Sequence, residues 1–254
     1  MVEVLYEDNH LIVVNKRPGE LVQPDAAGEG PALEETVKAY IKAKYAKPGA
    51  VFLGVVHRID RPVGGAVLLA RTSKALVRLN EQLKQRRFRK IYWAIVENKP
   101  AAAISGQNSS SAGMETGTLR HFIVRNGKTN KSTAYDTITA VPERLRSEAK
   151  EAALNYRLLA SGDRYHLLEI ELLTGRHHQI RCQLSKIGCP IKGDLKYGAK
   201  RSNRDGSISL WARRLTFEHP VTHEMITVEA PTPQHTDKLW AFFETTVATG
   251  AAAE

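Results

Sequence analysis

The sequence predicts an α+β fold with a mixed, mainly antiparallel central sheet and flanking helices and loops. Strand-like stretches outnumber helical ones, and the two do not alternate regularly as they do around a parallel sheet. A chain of 254 residues is also long enough to bury a substantial core. We expect a single domain over residues 1–245, followed by a frayed tail over 246–254.

The first part of the chain predicts strands over 4–7 and 10–15, joined by a turn at Asp8 and Asn9. Apolar residues at helical spacing predict a helix over 33–45. A second helix is expected from Ser73, a suitable N-cap, to about Gln85. Buried strands over 51–56 and 66–70 flank a loop at 57–65, and another strand covers 91–96.

The second part predicts mostly strands, over 119–124, 132–140, 152–160, 165–173, 210–217 and 225–228. A short helix over 178–187 ends before Gly188 and Pro190, and a terminal helix covers 238–243. The polar segment 98–117 lies between the two parts. Its run of serine and glycine predicts a mobile connection.

The charge of the chain favours a polyanionic partner. Lys and Arg number 37 against 27 Asp and Glu, a formal net charge of +10, and each phosphate neutralised by such a residue releases a counterion. No apolar run reaches the ~20 residues of a membrane helix, and no signal peptide is visible. Cys182 and Cys189 match no disulfide or zinc pattern. We therefore expect a cytoplasmic protein with reduced thiols and no membrane partner.

The strongest candidate for chemistry is the stretch HRIDRPVGG at 57–65, which places Asp60 between two arginines. An adjacent positive charge favours the ionised carboxylate, which can act as a nucleophile or base without a metal. The stretch TGRHHQIR at 174–181 adds arginines and adjacent histidines. Neighbouring residues on a helix do not face one another, and no third ligand follows at a zinc-protease spacing. We expect no metal site.

These two stretches, with RKIYWAIV at 89–96 and GDLKYG at 193–198, resemble the RluA family of pseudouridine synthases. The resemblance runs from about Val4 to Ala230, with the motifs in the family's order. It implies an enzyme that isomerises uridine to pseudouridine in structured RNA without a cofactor, in a cleft across a mixed sheet. Ribosomal RNA and transfer RNA both stay open as substrates. The chain begins with the catalytic strands, so we expect no N-terminal RNA-binding domain, and we expect a monomer.

The resemblance also implies roles for single residues. Asp60 is the catalytic carboxylate, either by attacking C1′ of the ribose or by removing a C2′ proton. Tyr92 stacks on the uracil and assists loss of the C5 proton, although a core tyrosine is the alternative. Arg181 forms a salt bridge with the catalytic aspartate, and Arg58 enters the RNA where the flipped uridine leaves it. The substrate-contacting residues expected are His57, Arg58, Arg61, Arg176, Gln179 and Ile191.

Some features leave alternatives open. Val63 and Gly64 stand where many relatives have Thr and Ser, and Trp211 replaces the histidine of a Leu-His-Ala motif. Ile191 could be a core residue, and Arg176 and Gln179 could order their loop. The basic segment 84–90 is either a solvated helix end or a surface that faces RNA. The rival function is a non-catalytic RNA-binding or chaperone protein on the same scaffold, which would have no evident use for Asp60, Tyr92 and Arg181 together.

Overall fold

The computed structural model describes residues 2–24, 32–100 and 116–250. The chain forms two compact units, each assembled from two stretches of sequence. Unit 1 comprises residues 1–90 and 211–232, and unit 2 comprises residues 91–210 and 233–254. None of the described helices is long and apolar enough to cross a lipid bilayer.

Unit 1 is a sheet with two helices. Its elements are β1 (Val4–Glu7), β2 (Leu11–Lys16), α1 (Leu33–Lys44), β3 (Gly54–Val55), β4 (Gly64–Ala70), α2 (Ser73–Lys84), β10 (Leu210–Glu218, in this unit from Trp211) and β11 (Met225–Glu229). The strand order is β1-β2-β4-β10-β11, and β3 also pairs with β4. Strand β4 is buried along its whole length, which accounts for its continuous apolar sequence.

Unit 2 is an antiparallel sheet with two helices. Its elements are β5 (Arg89–Val96, in this unit from Ile91), β6 (Thr116–Asn126), β7 (Lys131–Tyr135), β8 (Lys150–Ser161), β9 (His166–Leu172), α3 (Gln179–Lys186) and α4 (Lys238–Thr249). The strand order is β5-β9-β8-β6-β7. Leu154, Leu167 and Ile170 are completely buried and lie in its core. The predicted α+β fold with a mainly antiparallel sheet is confirmed, with β4 and β10 as the parallel pair found within unit 1.

The structure corrects several predicted boundaries. The strand expected over 51–56 is reduced to two residues in β3. The strand expected over 132–140 ends at Tyr135, because Thr137 caps a short 3₁₀ turn by accepting a hydrogen bond from the amide of Ala140. Thr72 caps α2 in place of Ser73, since its hydroxyl accepts from the amide of Ala75 at 3.2 Å.

The C-terminal helix is longer than predicted. Helix α4 runs to Thr249, so residues 246–249, expected in the frayed tail, are helical. Asp237 begins the helix by accepting hydrogen bonds from the amides of Leu239 and Trp240. The last four residues of the predicted tail, and residues 101–115 of the predicted mobile connection, lie outside the described residues.

Candidate active site

Asp60 lies on a tight turn of unit 1, between β3 and β4. The amide of Val63 donates to the backbone carbonyl of Asp60 at 3.0 Å and closes the turn. The residue is half-buried, while Arg58 and Arg61 on either side are exposed. The turn therefore holds a carboxylate at the surface of the unit with a guanidinium accessible on each side.

A buried lysine clamps this turn from behind. Lys16 is 0% exposed, and its ammonium donates to the backbone carbonyls of Arg17, Glu20 and Arg61 at 2.9, 2.8 and 3.2 Å. Burial lowers the pKa of Lys16 to about 8, against the opposing effects of Glu20 and Asp60. All three ammonium donors are thus satisfied by carbonyl groups. One of these carbonyls belongs to the residue directly after Asp60, so the clamp fixes the backbone that carries the carboxylate.

A second contact joins the loop after β2 to the Asp60 turn. The amide of Gly19 donates to the carbonyl of Arg61 at 2.8 Å, and Arg61 Nε donates back to the carbonyl of Gly19 at 3.1 Å. Sequence reasoning assigned nothing to Lys16. The available signal was a lysine that ends an otherwise apolar strand, since such a residue is buried only when its charge finds partners.

His57 is neutral and fixed in orientation. Its Nε2 accepts a hydrogen bond from the amide of Leu68 at 3.1 Å, so this nitrogen carries no proton. Burial, and secondarily the charge of Lys90, lowers the pKa of His57 to about 3. The imidazole therefore links the loop to β4, and its predicted contact with substrate stays a prediction.

In unit 2, Arg181 is held by a buried carboxylate. Its Nε and Nη2 donate to the two carboxylate oxygens of Asp194 at 2.7 and 2.8 Å. The two side chains are only 6% and 1% exposed. The Tyr197 ring lies beneath the guanidinium, 4.9 Å from Arg181 Cζ. A bidentate pair of this kind fixes the plane of the guanidinium as well as its position.

A polar network extends from Tyr197. Its hydroxyl accepts from the amide of Ser132 at 2.8 Å and is hydrogen-bonded to His178 Nδ1 at 2.9 Å. Burial, with the nearby charge of Arg181, lowers the pKa of His178 to about 2. The neutral ring can then accept the phenolic proton, and burial raises the pKa of Tyr197 to about 12. Asp194 and Tyr197 belong to a motif recognised in the sequence, but their roles in holding Arg181 were not predicted.

The geometry of the two histidines differs from the prediction. His178 precedes α3 with φ near +50°, so the helical spacing used in the prediction does not apply. The rings of His177 and His178 stack with centroids 3.8 Å apart, and Ser132 Oγ lies 2.8 Å from His177 Nδ1. Within the residues described, no three His, Cys, Asp or Glu side chains cluster to hold a metal ion.

Gln179 orders the loop before α3. Its Oε1 accepts from the hydroxyl of Thr174 and the amide of Arg176 at 2.8 and 2.9 Å, while its Nε2 donates to the carbonyl of Ala153. Arg176 Nε also donates to the carbonyl of Glu151 at 2.9 Å. These bonds show that Arg176 and Gln179 order their loop, which was one of the two alternatives. Contact of either residue with RNA stays a prediction.

Tyr92 and Ile191 are both buried in unit 2. Tyr92 is 8% exposed and stands opposite Ile170 on β9. Ile191 is completely buried and forms an isolated bridge with Val96. Such burial is what a core residue requires, so contact of these two side chains with a uracil stays a prediction. Cys182 and Cys189 are buried thiols.

Residues 10–186 match the model of the RNA pseudouridylate synthase family. The chain belongs to the RNA pseudouridine synthases. The synthase is 32% identical over 244 residues to an uncharacterised RNA pseudouridine synthase of Synechocystis, covering 95% of this chain and 68% of the relative. It is also 32% identical to the ribosomal large subunit pseudouridine synthase D of Xylella fastidiosa, covering 94% of this chain and 69% of the relative.

Solved structures share the fold of the synthase. Human RNA pseudouridylate synthase domain containing 4 superposes with a TM-score of 0.70 at 22% identity, over 97% of this chain and 93% of that one. The fold agrees with the family match and the curated relatives, which confirm the predicted membership, and the synthase is an RNA-modifying isomerase. The rival function as a non-catalytic RNA-binding protein is set aside.

Proposed function

We propose that the synthase converts specific uridines of structured RNA to pseudouridine with the carboxylate of Asp60, without a metal or cofactor. The observation that carries the proposal is the clamped turn: Asp60 ends the motif HRID, and Lys16 and Gly19 both bind the carbonyl of the next residue. A catalytic group must be held within about 0.5 Å of its working position. A turn with its backbone fixed from behind meets this requirement.

The reaction itself needs no redox partner. The C1′–N1 bond breaks, the uracil turns, a C1′–C5 bond forms, C5 loses its proton to the solvent and N1 takes one up, so atoms and electrons balance. An ionised carboxylate can assist departure of the base by attacking C1′ or by removing a C2′ proton. Both routes remain within the proposal, since each uses the same side chain.

Arg181 and Tyr92 are the two other catalytic residues of the proposal. The family motif makes Arg181 the partner of the catalytic aspartate, and the bidentate pair with Asp194 supports this role by fixing the guanidinium plane. Tyr92 offers an aromatic face to the flipped base and a hydroxyl for removal of the C5 proton. Base–aromatic stacking of this kind is worth roughly 1–3 kcal/mol.

Arg58 is proposed to fill the gap that the flipped uridine leaves. Extrusion of a nucleotide costs a few kcal/mol of stacking energy, and a planar guanidinium can both stack and hydrogen-bond in the vacant position. The exposed Arg58 side chain beside Asp60 is suited to this task. His57, Arg61, Arg176, Gln179 and Ile191 complete the proposed substrate contacts.

The RNA is ribosomal or transfer RNA, and we take large-subunit ribosomal RNA as the first substrate to test. Two relatives, from Xylella fastidiosa and Xanthomonas campestris, are named ribosomal large subunit pseudouridine synthase D, at 32% and 31% identity. Mapping of pseudouridines in ribosomal and transfer RNA, from cells with and without the gene, identifies the RNA and the position.

The decisive test is Asp60→Asn, assayed by release of tritium from C5-labelled uridine in the RNA so identified. The amide is nearly isosteric but cannot serve as an anionic nucleophile or base, so turnover should vanish while RNA affinity persists. Residual activity within about tenfold of wild type, only ~1.4 kcal/mol in the barrier, would refute the assignment. Asp163→Asn, on an exposed loop of unit 2, is the matched control.

A further inference from the structure

The end of the Asp60 turn packs against a tryptophan with no space to spare. Strands β4 and β10 are parallel, and Gly64 and Gly65 pair with Trp211 and Ala212. A Cβ added to Gly64 would lie 2.1 Å from Cζ3 of the Trp211 ring and 2.5 Å from Cη2. Real Cβ atoms do not approach other atoms so closely. The indole therefore rests directly on the Gly64 backbone.

Gly65 makes an equally close approach to the backbone itself. It adopts φ near +113°, and a Cβ there would lie 2.4 Å from the carbonyl oxygen of Ala212. This conformation strongly favours glycine. The chain leaves the turn at Val63, only 2% exposed, and is at once fixed against β10 by two successive glycines. The backbone that follows the Asp60 turn is thus in direct contact with residues 211 and 212.

The resemblance to the RluA family implies that the two contacting positions depart from its motifs. By that resemblance, Gly64 stands where many relatives have serine, and Trp211 stands where they have histidine. One change removes a side chain and the other adds volume, and the structure brings the two into direct contact. A larger ring at 211 with a serine at 64 would overlap, whereas histidine with glycine would leave unfilled space behind the turn. The pair is complementary in volume.

We propose that Trp211 is a positioning residue, which sets the Asp60 turn through its contact with Gly64. It does not touch the substrate. Trp211 on β10 and Lys16 on β2 lie on the two strands that flank β4. Lys16 binds the carbonyl of Arg61 and pairs with Gly65 across β2 and β4. The turn is therefore held at its middle by the lysine and at its end by the indole. The catalytic part of this inference rests on the proposed role of Asp60.

The test is a double-substitution cycle with Gly64→Ser, Trp211→His and both together. Gly64→Ser should push the turn away from the indole, and Trp211→His should leave it loosely supported. Each should lower the single-turnover rate at saturating RNA by roughly tenfold or more, with RNA affinity within about twofold of wild type. The double variant should recover to within about threefold, because the smaller ring makes room for the serine. Rates that simply multiply in the double variant would overturn the proposal.

A second readout does not depend on activity. The Val63 amide closes the Asp60 turn, so its hydrogen exchange reports whether the turn is held. Exchange should accelerate in each single variant and slow again in the double variant. Trp240→His is the matched control, since Trp240 is a tryptophan of similar burial on α4 of unit 2. It should lower the melting temperature without changing Val63 exchange or the catalytic rate.

The catalytic rate and the hydrogen exchange of Val63 together distinguish failure of the role of Trp211 from failure of the role of Asp60. If Trp211→His lowers only the melting temperature, with Val63 exchange and rate unchanged, the indole is an ordinary core residue and the inference is wrong. If Asp60→Asn retains activity while the exchange pattern follows the cycle, the function assigned to Asp60 fails but the positioning of the turn stands.

Discussion

Two buried cations, one in each unit, are matched to their acceptors. Lys16 has a compact ammonium with three donors, and it meets three backbone carbonyls that converge from two loops. Arg181 has a planar fork of donors, and it meets both oxygens of one carboxylate. Exchange of lysine and arginine at either position would mismatch the donors and their partners. Arg181→Lys and Lys16→Arg are therefore poor conservative substitutions here.

At Tyr92 we predict that the hydroxyl and the ring have separable roles. Tyr92→Phe keeps the aromatic face, so RNA affinity should change by less than about 1 kcal/mol, below the usual value of a stacked base. The step that uses the hydroxyl should slow, and product with the base already joined through carbon should accumulate if that step is C5 deprotonation. Analysis of nucleosides from a quenched reaction detects this species. Recovery of unreacted uridine alone would contradict the role.

At His57 we predict acid sensitivity of the fold. The folded-state pKa of about 3 lies below the usual value of about 6.5. Between these values the unfolded chain binds more protons, so the free energy of unfolding falls as pH drops. The loss is at most about 1.4 kcal/mol per pH unit, and less than about 0.5 kcal/mol of it occurs above pH 6.5.

The measurement compares wild type with His57→Gln by urea unfolding at pH 6.5 and 4.5. The glutamine oxygen can still accept from the Leu68 amide, and it does not titrate. Wild type should therefore lose up to about 2.3 kcal/mol more than the variant. The exposed His235 provides the control, since His235→Gln should behave as wild type. Equal losses in wild type and His57→Gln would show that the fold does not hold this imidazole neutral.

At the scale of elements, the basic segment after α2 is anchored rather than loose. Phe88 is buried and stacks on Phe217 with ring centroids 5.4 Å apart, while Arg86, Arg87 and Arg89 around it are exposed. Arg86 turns the chain with φ near +58°. A fixed turn that presents three guanidinium groups suits a phosphate backbone better than a fraying helix end does.

We predict that charge reversal of Arg86, Arg87 and Arg89 reduces the salt dependence of RNA binding. Each phosphate contact contributes a slope of roughly −0.7 to −0.9 in a plot of log affinity against log salt concentration. The slope should therefore become shallower by the contribution of up to three phosphate contacts, roughly 2 to 3 in total. Charge reversal at the exposed Lys42, Lys47 and Lys74 changes the net charge equally and serves as the control. An unchanged slope in the arginine variant would make the segment a solvated surface.

At the scale of the whole molecule, each unit needs segments that are far apart in the chain. Unit 1 is complete only when residues 211–232 join residues 1–90, and unit 2 only when residues 233–254 join residues 91–210. Contacts of such long sequence separation make folding slow, because the chain entropy is lost before the contacts form. The contact of Gly64 with Trp211 is one of these long-range contacts.

For the whole enzyme we predict that turnover survives exhaustive chelation. The proposed reaction uses a carboxylate, a tyrosine and arginines, so no step calls for a metal. The assay uses a short RNA hairpin that folds without magnesium, with its structure verified in EDTA. Tritium release should stay within about twofold of the untreated reaction, a barrier change below ~0.5 kcal/mol. Loss of turnover that zinc or magnesium restores on this hairpin would disprove the metal-free mechanism.

The sequence by itself determined the family, the α+β class and most element positions. Helix α2 and strands β4 and β5 carry strong local patterns, and the motifs name Asp60, Tyr92 and Arg181 without reference to any fold. Local patterns were weaker at β3 and β7, where a short 3₁₀ turn or an extended loop competes with a strand of similar composition.

Only the tertiary structure revealed how these residues are held. Asp194 provides the carboxylate that binds Arg181, and Lys16 binds the backbone carbonyl next to Asp60. The Trp211 ring packs against Gly64. Gly64 and Trp211 lie far apart in the sequence, and neither residue type indicates the contact. Such pairings depend on close packing and on the need of each buried charge for partners. These conditions act between side chains that only the folded chain brings together.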